Sequence, residues 1–167
     1  LALIAVYFAY NIVYTGQNYL ADRIAIISIE KLLQLFGIAA LTIILSVLLG
    51  LFFTAKKARI HNQKLWDAQA RRFYLSLAIP LGTGGILCTI LLVKGYVGLV
   101  APLTLIFYGL ALVNGSHHTL SEIKSLGIVE IILGILSVYF IGYGLVFWAI
   151  GFGVMHIIYG IFMHIKY

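Results

Sequence analysis

Apolar residues run along this chain in long continuous blocks. Short polar or charged segments separate them, and strict alternation of polar and apolar positions is missing. Blocks of this kind predict helices that cross a lipid bilayer, for which about 20 mostly apolar residues suffice. A membrane β-barrel would instead alternate over segments of about ten residues. The first block ends near Tyr14. A polar connection follows over 15–31, with Asn18, Asp22, Arg23 and Glu30, and its stretch 24–29 is apolar enough to lie at an interface or to extend the next helix. Further spans are expected over 32–54, 73–93, 97–113, 126–141 and 143–164. The pattern therefore predicts an all-α, polytopic transmembrane helix bundle of about six spans, forming a single domain over 1–167. The chain opens directly in an apolar run with no basic segment and no cleavage site. That reads as the second half of a span truncated at its N-terminus, not as a signal peptide.

Composition agrees with the pattern. Hydrophobic residues make up 63% of the chain and charged ones 10%, with a mean hydropathy of +1.10. A soluble domain carries about 25% charged residues, so this chain could not cover its surface with polar groups in water. In lipid it need not, provided each backbone N–H and C=O is bonded within a helix.

The net charge of +6 is concentrated between the apolar blocks. If the connections alternate sides, one side holds eight basic residues: Lys56, Lys57, Arg59, Lys64, Arg71, Arg72, Lys124 and Lys166. The other holds three, Arg23, Lys31 and Lys94. The rich side is expected to be cytoplasmic, which places both termini there. The segment 55–72 reads as a basic cytoplasmic loop with Trp66 at its middle. Lys56, Lys57, Arg59, Trp66, Arg71 and Arg72 form its candidate surface for a partner protein or anionic head groups. No basic stripe is interleaved with base-stacking aromatics, which argues against nucleic acid as a partner.

Few residues carry chemistry. Pro80-Leu81-Gly82-Thr83-Gly84-Gly85 lies inside the third block. It can be read as a broken helix whose freed backbone groups meet a solute. The expected reading is the other one, a kinked span with a smooth face for a neighbouring helix. Glu130 is the sole acid well inside a span, and Gly134 and Ser137 share its helical face. In the last span, Gly153, His156, Gly160 and Met163/His164 recur at three- and four-residue steps and are expected to share a face as well. The tight turn at 142–144 sets the register of this hairpin and puts Glu130 level with Met155 and His156. Glu130 and His156, with Thr83 and Pro80, form the candidate intramembrane polar site. It has two readings, a proton or cation site and an interhelical polar contact.

Adjacent histidines at a helix end diverge, so His117-His118 and His164 are not expected to bind a metal or haem. No cofactor is expected. The single cysteine, Cys88, cannot form an internal disulfide. Tyr7, Tyr10, Tyr14, Tyr74, Tyr96, Tyr143 and Trp66 fall near span ends, as an aromatic belt would place them.

Three stretches resemble a family of small, uncharacterised integral membrane proteins of Bacteroidota. They are Ala78-Ile79-Pro80-Leu81 with Thr83-Gly84-Gly85-Ile86, the run from Ala101-Pro102-Leu103 to Ala111-Leu112-Val113-Asn114, and Gly142-Tyr143-Gly144 through Gly153 with His156-Ile157-Ile158-Tyr159-Gly160. The resemblance covers about Trp66 to Tyr167. It implies a bacterial cytoplasmic (inner) membrane location, and a short cytoplasmic segment and the start of the first span ahead of Leu1. Members are often encoded beside a small winged-helix regulator, which implies a regulatory or stress-linked role. No catalytic residue is implied, and members carry other residues in place of His117-His118.

Three function classes remain. A non-enzymatic accessory, sensory or regulatory module would work by contact with another membrane or cytoplasmic protein, or with a second copy through its small-residue faces. A small solute, proton or ion transporter would use Glu130 and His156. A membrane-embedded enzyme would need a nucleophile or metal with an acid/base pair, and the sequence offers isolated histidines. The first class is the expected one.

Overall fold

The computed structural model describes residues 1–14, 29–60, 68–118 and 121–166. They form helices α1 (Ala2–Tyr14), α2 (Ile29–Ile60), α3 (Ala68–Val93), α4 (Val97–Gly115), α5 (Ser121–Tyr139) and α6 (Gly144–Lys166). A single 3-10 turn, Ser116–His118, precedes α5, and no strand occurs among the described residues. Four helices are long and apolar enough to cross a membrane, with spans Leu33–Gly50, Gln69–Val93, Val97–Gly115 and Gly144–Lys166. The described part of α1 is 13 residues. Helix α5 has 19 residues but carries Glu122, Lys124 and Glu130.

The expected basic loop over 55–72 is largely helix. Residues 55–60 continue α2, and 68–72 open α3. Ala, Lys and Arg are strong helix formers, so polarity ends the apolar stretch without ending the helix. With 32 residues, α2 is about 48 Å long at 1.5 Å per residue, well beyond a hydrocarbon core of about 30 Å. Lys56, Arg71 and Arg72 are exposed on these helix ends. Lys57 and Arg59 belong to α2, and Trp66 lies outside the described residues.

Helices α3 to α6 alternate in direction. The α3–α4 turn is closed by Gly95 at φ 85°, with Gly95 N–H on Leu92 O (3.1 Å) and Tyr96 N–H on Leu91 O (2.9 Å). Such a left-handed helix stop favours glycine. Gly142, at φ 108°, serves the α5–α6 turn. A Cβ at Gly98 would lie 3.2 Å from Ile141, and one at Gly144 3.2 Å from Ala101, so both turns sit at one end of the bundle. Lys166 pairs with Glu122 at the other end.

Helix α4 is the centre, packed between α3 and α5 with α6 alongside. Its buried residues are Pro102, Leu105, Gly109, Ala111, Leu112 and Gly115. The tightest crossing is α4 on α5. There a Cβ at Gly109 would fall 2.5 Å from Gly127 O, and one at Gly127 2.7 Å from Gly109 O. Both short turns join helices that pack on each other, α3 on α4 and α6 on α5; α6 also meets α4 and α1, and the closest crossing is α4 on α5, where glycines let the backbones meet.

Helix α3 runs unbroken through Pro80. A proline leaves the carbonyl four residues earlier without its helical donor. That carbonyl is Ser76 O, and Asn114 Nδ2 of α4 donates to it at 2.8 Å. The freed group is thus satisfied by a neighbouring helix, which favours the packing reading of this stretch. Asn114→Ala should cost about 1 kcal/mol. In a Pro80→Ala background the cost should fall toward zero, because residue 80 then supplies the donor. A thermal double-mutant cycle measures this coupling.

Candidate functional site

Helix α5 places Gly127, Glu130, Gly134 and Ser137 on one fully buried face. This is the face expected from their spacing. Glu130 and Ser137 are both 0% exposed, and neither Glu130 Oε1, Glu130 Oε2 nor Ser137 Oγ has a hydrogen-bond partner among the described residues. Buried polar atoms are almost always paired, and an unpaired carboxylate is the costliest kind of exception.

Three elements close over Glu130. Helix α5 carries it, α4 contributes Leu105, and α6 contributes Gly151. A Cβ at Gly151 would collide with Glu130 Oε2 and lie 2.6 Å from Leu105 Cδ2. The space above the carboxylate therefore does not admit even a methyl group. Gly151 lies in a seven-residue π-helical segment of α6, Ala149–Met155. Such segments are rare and are frequently found at functional sites. The segment's two glycines serve opposite neighbours, since a Cβ at Gly153 would meet Leu3 of α1 at 2.6 Å.

His156 follows the π-helical segment directly. Its Nδ1 lies 2.9 Å from Gly151 O and 3.5 Å from Glu130 Oε1, and its Nε2 is 2.8 Å from Tyr108 Oη. With the imidazole neutral, these contacts select one tautomer. A carbonyl only accepts, so Nδ1 carries the hydrogen and donates to Gly151 O. Nε2 then accepts from the Tyr108 hydroxyl. The result is a line of proton-bearing groups from Tyr108 through the imidazole to Glu130. Phe152 flanks it, with ring centroids 4.8 Å from Tyr108 and 5.9 Å from His156. Trp148 continues the aromatic column, 4.8 Å from Phe152, and donates to Thr104 Oγ1 at 3.2 Å.

Of the candidate polar set, the structure brings Glu130 and His156 together and leaves Pro80 and Thr83 out. Helix α3 packs on α4 through Gly84 and Cys88, and Thr83 is exposed on its outer side. The expected stripe on the last span also divides. Gly153 faces α1, Gly160 faces open space, and only His156 faces Glu130. Stepping by three and four assumes α geometry, which the π-helical segment breaks between Gly153 and His156, whereas Gly160, in the regular helix beyond, has no neighbour to meet. Two residues were missed by sequence reasoning, Tyr108 and Gly151. Tyr108 carried a readable signal, because it lies mid-helix in α4 and not at an end where an aromatic belt would put it. Gly151 carried none.

His117 is exposed, and among the described residues no three His, Cys, Asp or Glu side chains converge as a metal site requires. No protein-family model, curated protein or solved structure matches the chain.

Proposed function

We propose that this chain is a proton-responsive integral membrane protein, an accessory or sensory module in which Glu130 takes up and releases a proton through His156 and Tyr108. One observation carries the reading: a fully buried carboxylate without a hydrogen-bond partner among the described residues, touching a π-helical segment and 3.5 Å from an imidazole. An ionisable group at such a place is costly and marks function by default. Packing selects the ligand. The carboxylate is pressed against Gly151 and Leu105, so it has room for a proton and not for a hydrated ion or an organic solute. The membrane is the bacterial cytoplasmic one, with six spans and both termini cytoplasmic. The charge asymmetry of the connections and the family resemblance support this placement. The basic ends of α2 and α3 would then face the cytoplasm, where Lys56, Arg71 and Arg72 meet anionic lipid or a partner.

Infrared difference spectroscopy across a pH titration tests the reading on the protein in lipid. The wild type should show a carboxyl C=O band that disappears in Glu130→Gln and persists in Glu122→Gln. If the band survives Glu130→Gln, Glu130 is a passive contact. Proton flux into proteoliposomes under an imposed potential then separates a sensor, with no flux, from a carrier whose flux Glu130→Gln abolishes.

A further inference from the structure

Glu130 lies near the middle of α5, about 12 Å along the helix from Glu122 and about 14 Å from Tyr139. Depth therefore does not say which aqueous phase supplies its proton. The side chains on either hand do. Toward the end with the two tight turns, the aromatic column continues through Phe152 to Trp148. Trp148 Nε1–H donates to Thr104 Oγ1 at 3.2 Å, and the Thr104 hydroxyl donates to Ala101 O at 2.7 Å. An indole N–H only donates and passes no proton on, and the threonine hydrogen is committed to a backbone carbonyl. The buried Ser137 hydroxyl is also on this side, about 10 Å from Glu130 along the same helix face. Gly134 lies between them, against α4. An atom in the place of its missing Cβ would stand 2.6 Å from Ile106 Cγ1 and 2.9 Å from Pro102 O. A water there would overlap Ile106, so the serine is cut off from the carboxylate.

Toward the opposite end the groups bear exchangeable protons. His156 is the ion-pair partner of Glu130, and its side chain is 31% exposed where that of Glu130 is 0%. The imidazole thus joins the buried carboxylate to the surface of the bundle. Its Nε2 meets Tyr108 Oη at 2.8 Å. Tyr159, one turn beyond His156 toward Lys166, is close enough to Tyr108 to interact with it electrostatically. Past Tyr159, α6 ends at the exposed His164 and the Lys166–Glu122 pair. Each phenol both donates and accepts, as a relay requires. The remaining neighbours add no titratable group at the carboxylate. Helix α1 meets α6 through Leu3, with Tyr7 and Tyr10 exposed. On α5, Glu122 and Lys124 sit at the helix start.

We propose that Glu130 exchanges its proton with one aqueous phase only, the one at the Glu122–Lys166 end, along a path through His156, Tyr108 and Tyr159. This rests on the reading of Glu130 as a proton site and names the side to which that site answers. In uptake, a proton from water at that end replaces the one that the tyrosine hydroxyls hand to Nε2. The Nδ1–H proton passes to Glu130 Oε1 as the pair closes from 3.5 Å to hydrogen-bond distance. One proton leaves the water, one appears on the carboxylate, and the imidazole keeps its hydrogen on Nε2. Release runs the same steps backward and restores Nδ1–H on Gly151 O. Traffic confined to one side therefore needs no separate reset of the imidazole, whereas passage through to the other side would. Chains of Asp, Glu and His mark proton relays in membrane proteins generally. Here the chain stops at the carboxylate.

The test uses the full chain in proteoliposomes whose lumen is strongly buffered and monitored with a pH dye. Orientation is read with a membrane-impermeant maleimide on Ile165→Cys or Tyr143→Cys, both exposed and at opposite ends, in a Cys88→Ala background. The external pH is stepped, and the Glu130-dependent carboxyl C=O band is followed in the infrared. The amplitude of its change should match the fraction of chains with Ile165 outward, and a protonophore should then release the rest. Tyr159→Phe keeps the ring and loses the hydroxyl, and should slow the band change by about tenfold or more, since a positioned proton donor contributes at least that much. An amplitude that matches the Tyr143-outward fraction overturns the proposal, as does full amplitude before the protonophore is added. An unchanged rate in Tyr159→Phe overturns the tyrosine path. If that variant does not fold, the two-sided comparison on the wild type still decides. A band lost in Glu130→Gln that nonetheless answers to both sides would sink the sidedness while the proton site stands. Survival of the band in Glu130→Gln would remove the proton site as well.

Discussion

Glu130→Met should be more stable than the wild type and unresponsive to protons. Methionine matches glutamate in length and places a methyl group near the position of a carboxylate oxygen. The substitution removes a fully buried polar group that has no hydrogen-bond partner among the described residues and leaves the packing against Leu105 and Gly151 in place. An unsatisfied buried polar group costs about 1–3 kcal/mol, and more when charged. At about 2–4 °C per kcal/mol for a chain of this size, the thermal midpoint should rise by roughly 2–12 °C in scanning fluorimetry. Glu130→Gln should gain less, because an amide in the same place is still unsatisfied. The sign decides between the two readings that the sequence leaves open. A carboxylate acting as interhelical glue would lose stability on becoming methionine. A carboxylate kept for its proton is a case of stability given up for function. A clear fall in midpoint for Glu130→Met would therefore favour the glue.

The glycines should divide into two sharply different groups on replacement by alanine. Gly109→Ala and Gly127→Ala each drive a methyl group into the other helix's backbone carbonyl, at 2.5 and 2.7 Å. A backbone carbonyl inside a helix cannot swing aside as a side chain can, so the helices must separate. Overpacking of this kind costs about 1–3 kcal/mol, occasionally more, and here it loosens the crossing on which the Glu130 face depends. The expected drop is roughly 2–12 °C in thermal midpoint, with aggregation on extraction for the double variant. Gly82→Ala, Gly85→Ala and Gly160→Ala meet nothing within 4 Å. In a helix interior they should be neutral or should gain about 0.5–1 kcal/mol by restricting the unfolded chain. Equal effects across both groups would mean that α4 and α5 do not cross at Gly109 and Gly127.

This division shows where sequence reading stops. Pro80 to Gly85 holds three glycines, yet of these only Gly84 packs closely, against Phe107. A lone sequence shows that glycines are frequent but not which of them faces a neighbour, because lipid and helix surfaces are alike apolar. Hydropathy leaves the rotation of such a helix about its axis undetermined. The same holds for the ends of α2 and α3. Charge was read as loop, but basic side chains are compatible with helix and simply carry it past the apolar stretch.

The sequence by itself determined the all-helical class, four of the long apolar helices, the tight turn at 142–144, and the face of α5 that carries Glu130, Gly134 and Ser137. It also placed Glu130 level with His156. These features follow from local rules: continuous apolar length, glycine where the backbone turns left-handed, and helical spacing within one helix. Only the tertiary structure decided that Asn114 of one helix satisfies the carbonyl that Pro80 frees in another, and that α4 and α5 meet at two glycines. It alone set Tyr108 on His156 and pressed Gly151 against Glu130. Each of these depends on the relative rotation of two helices. In α6 it also depends on a π-helical turn that shifts the register by one residue. A single sequence encodes that turn only through packing summed over several helices at once.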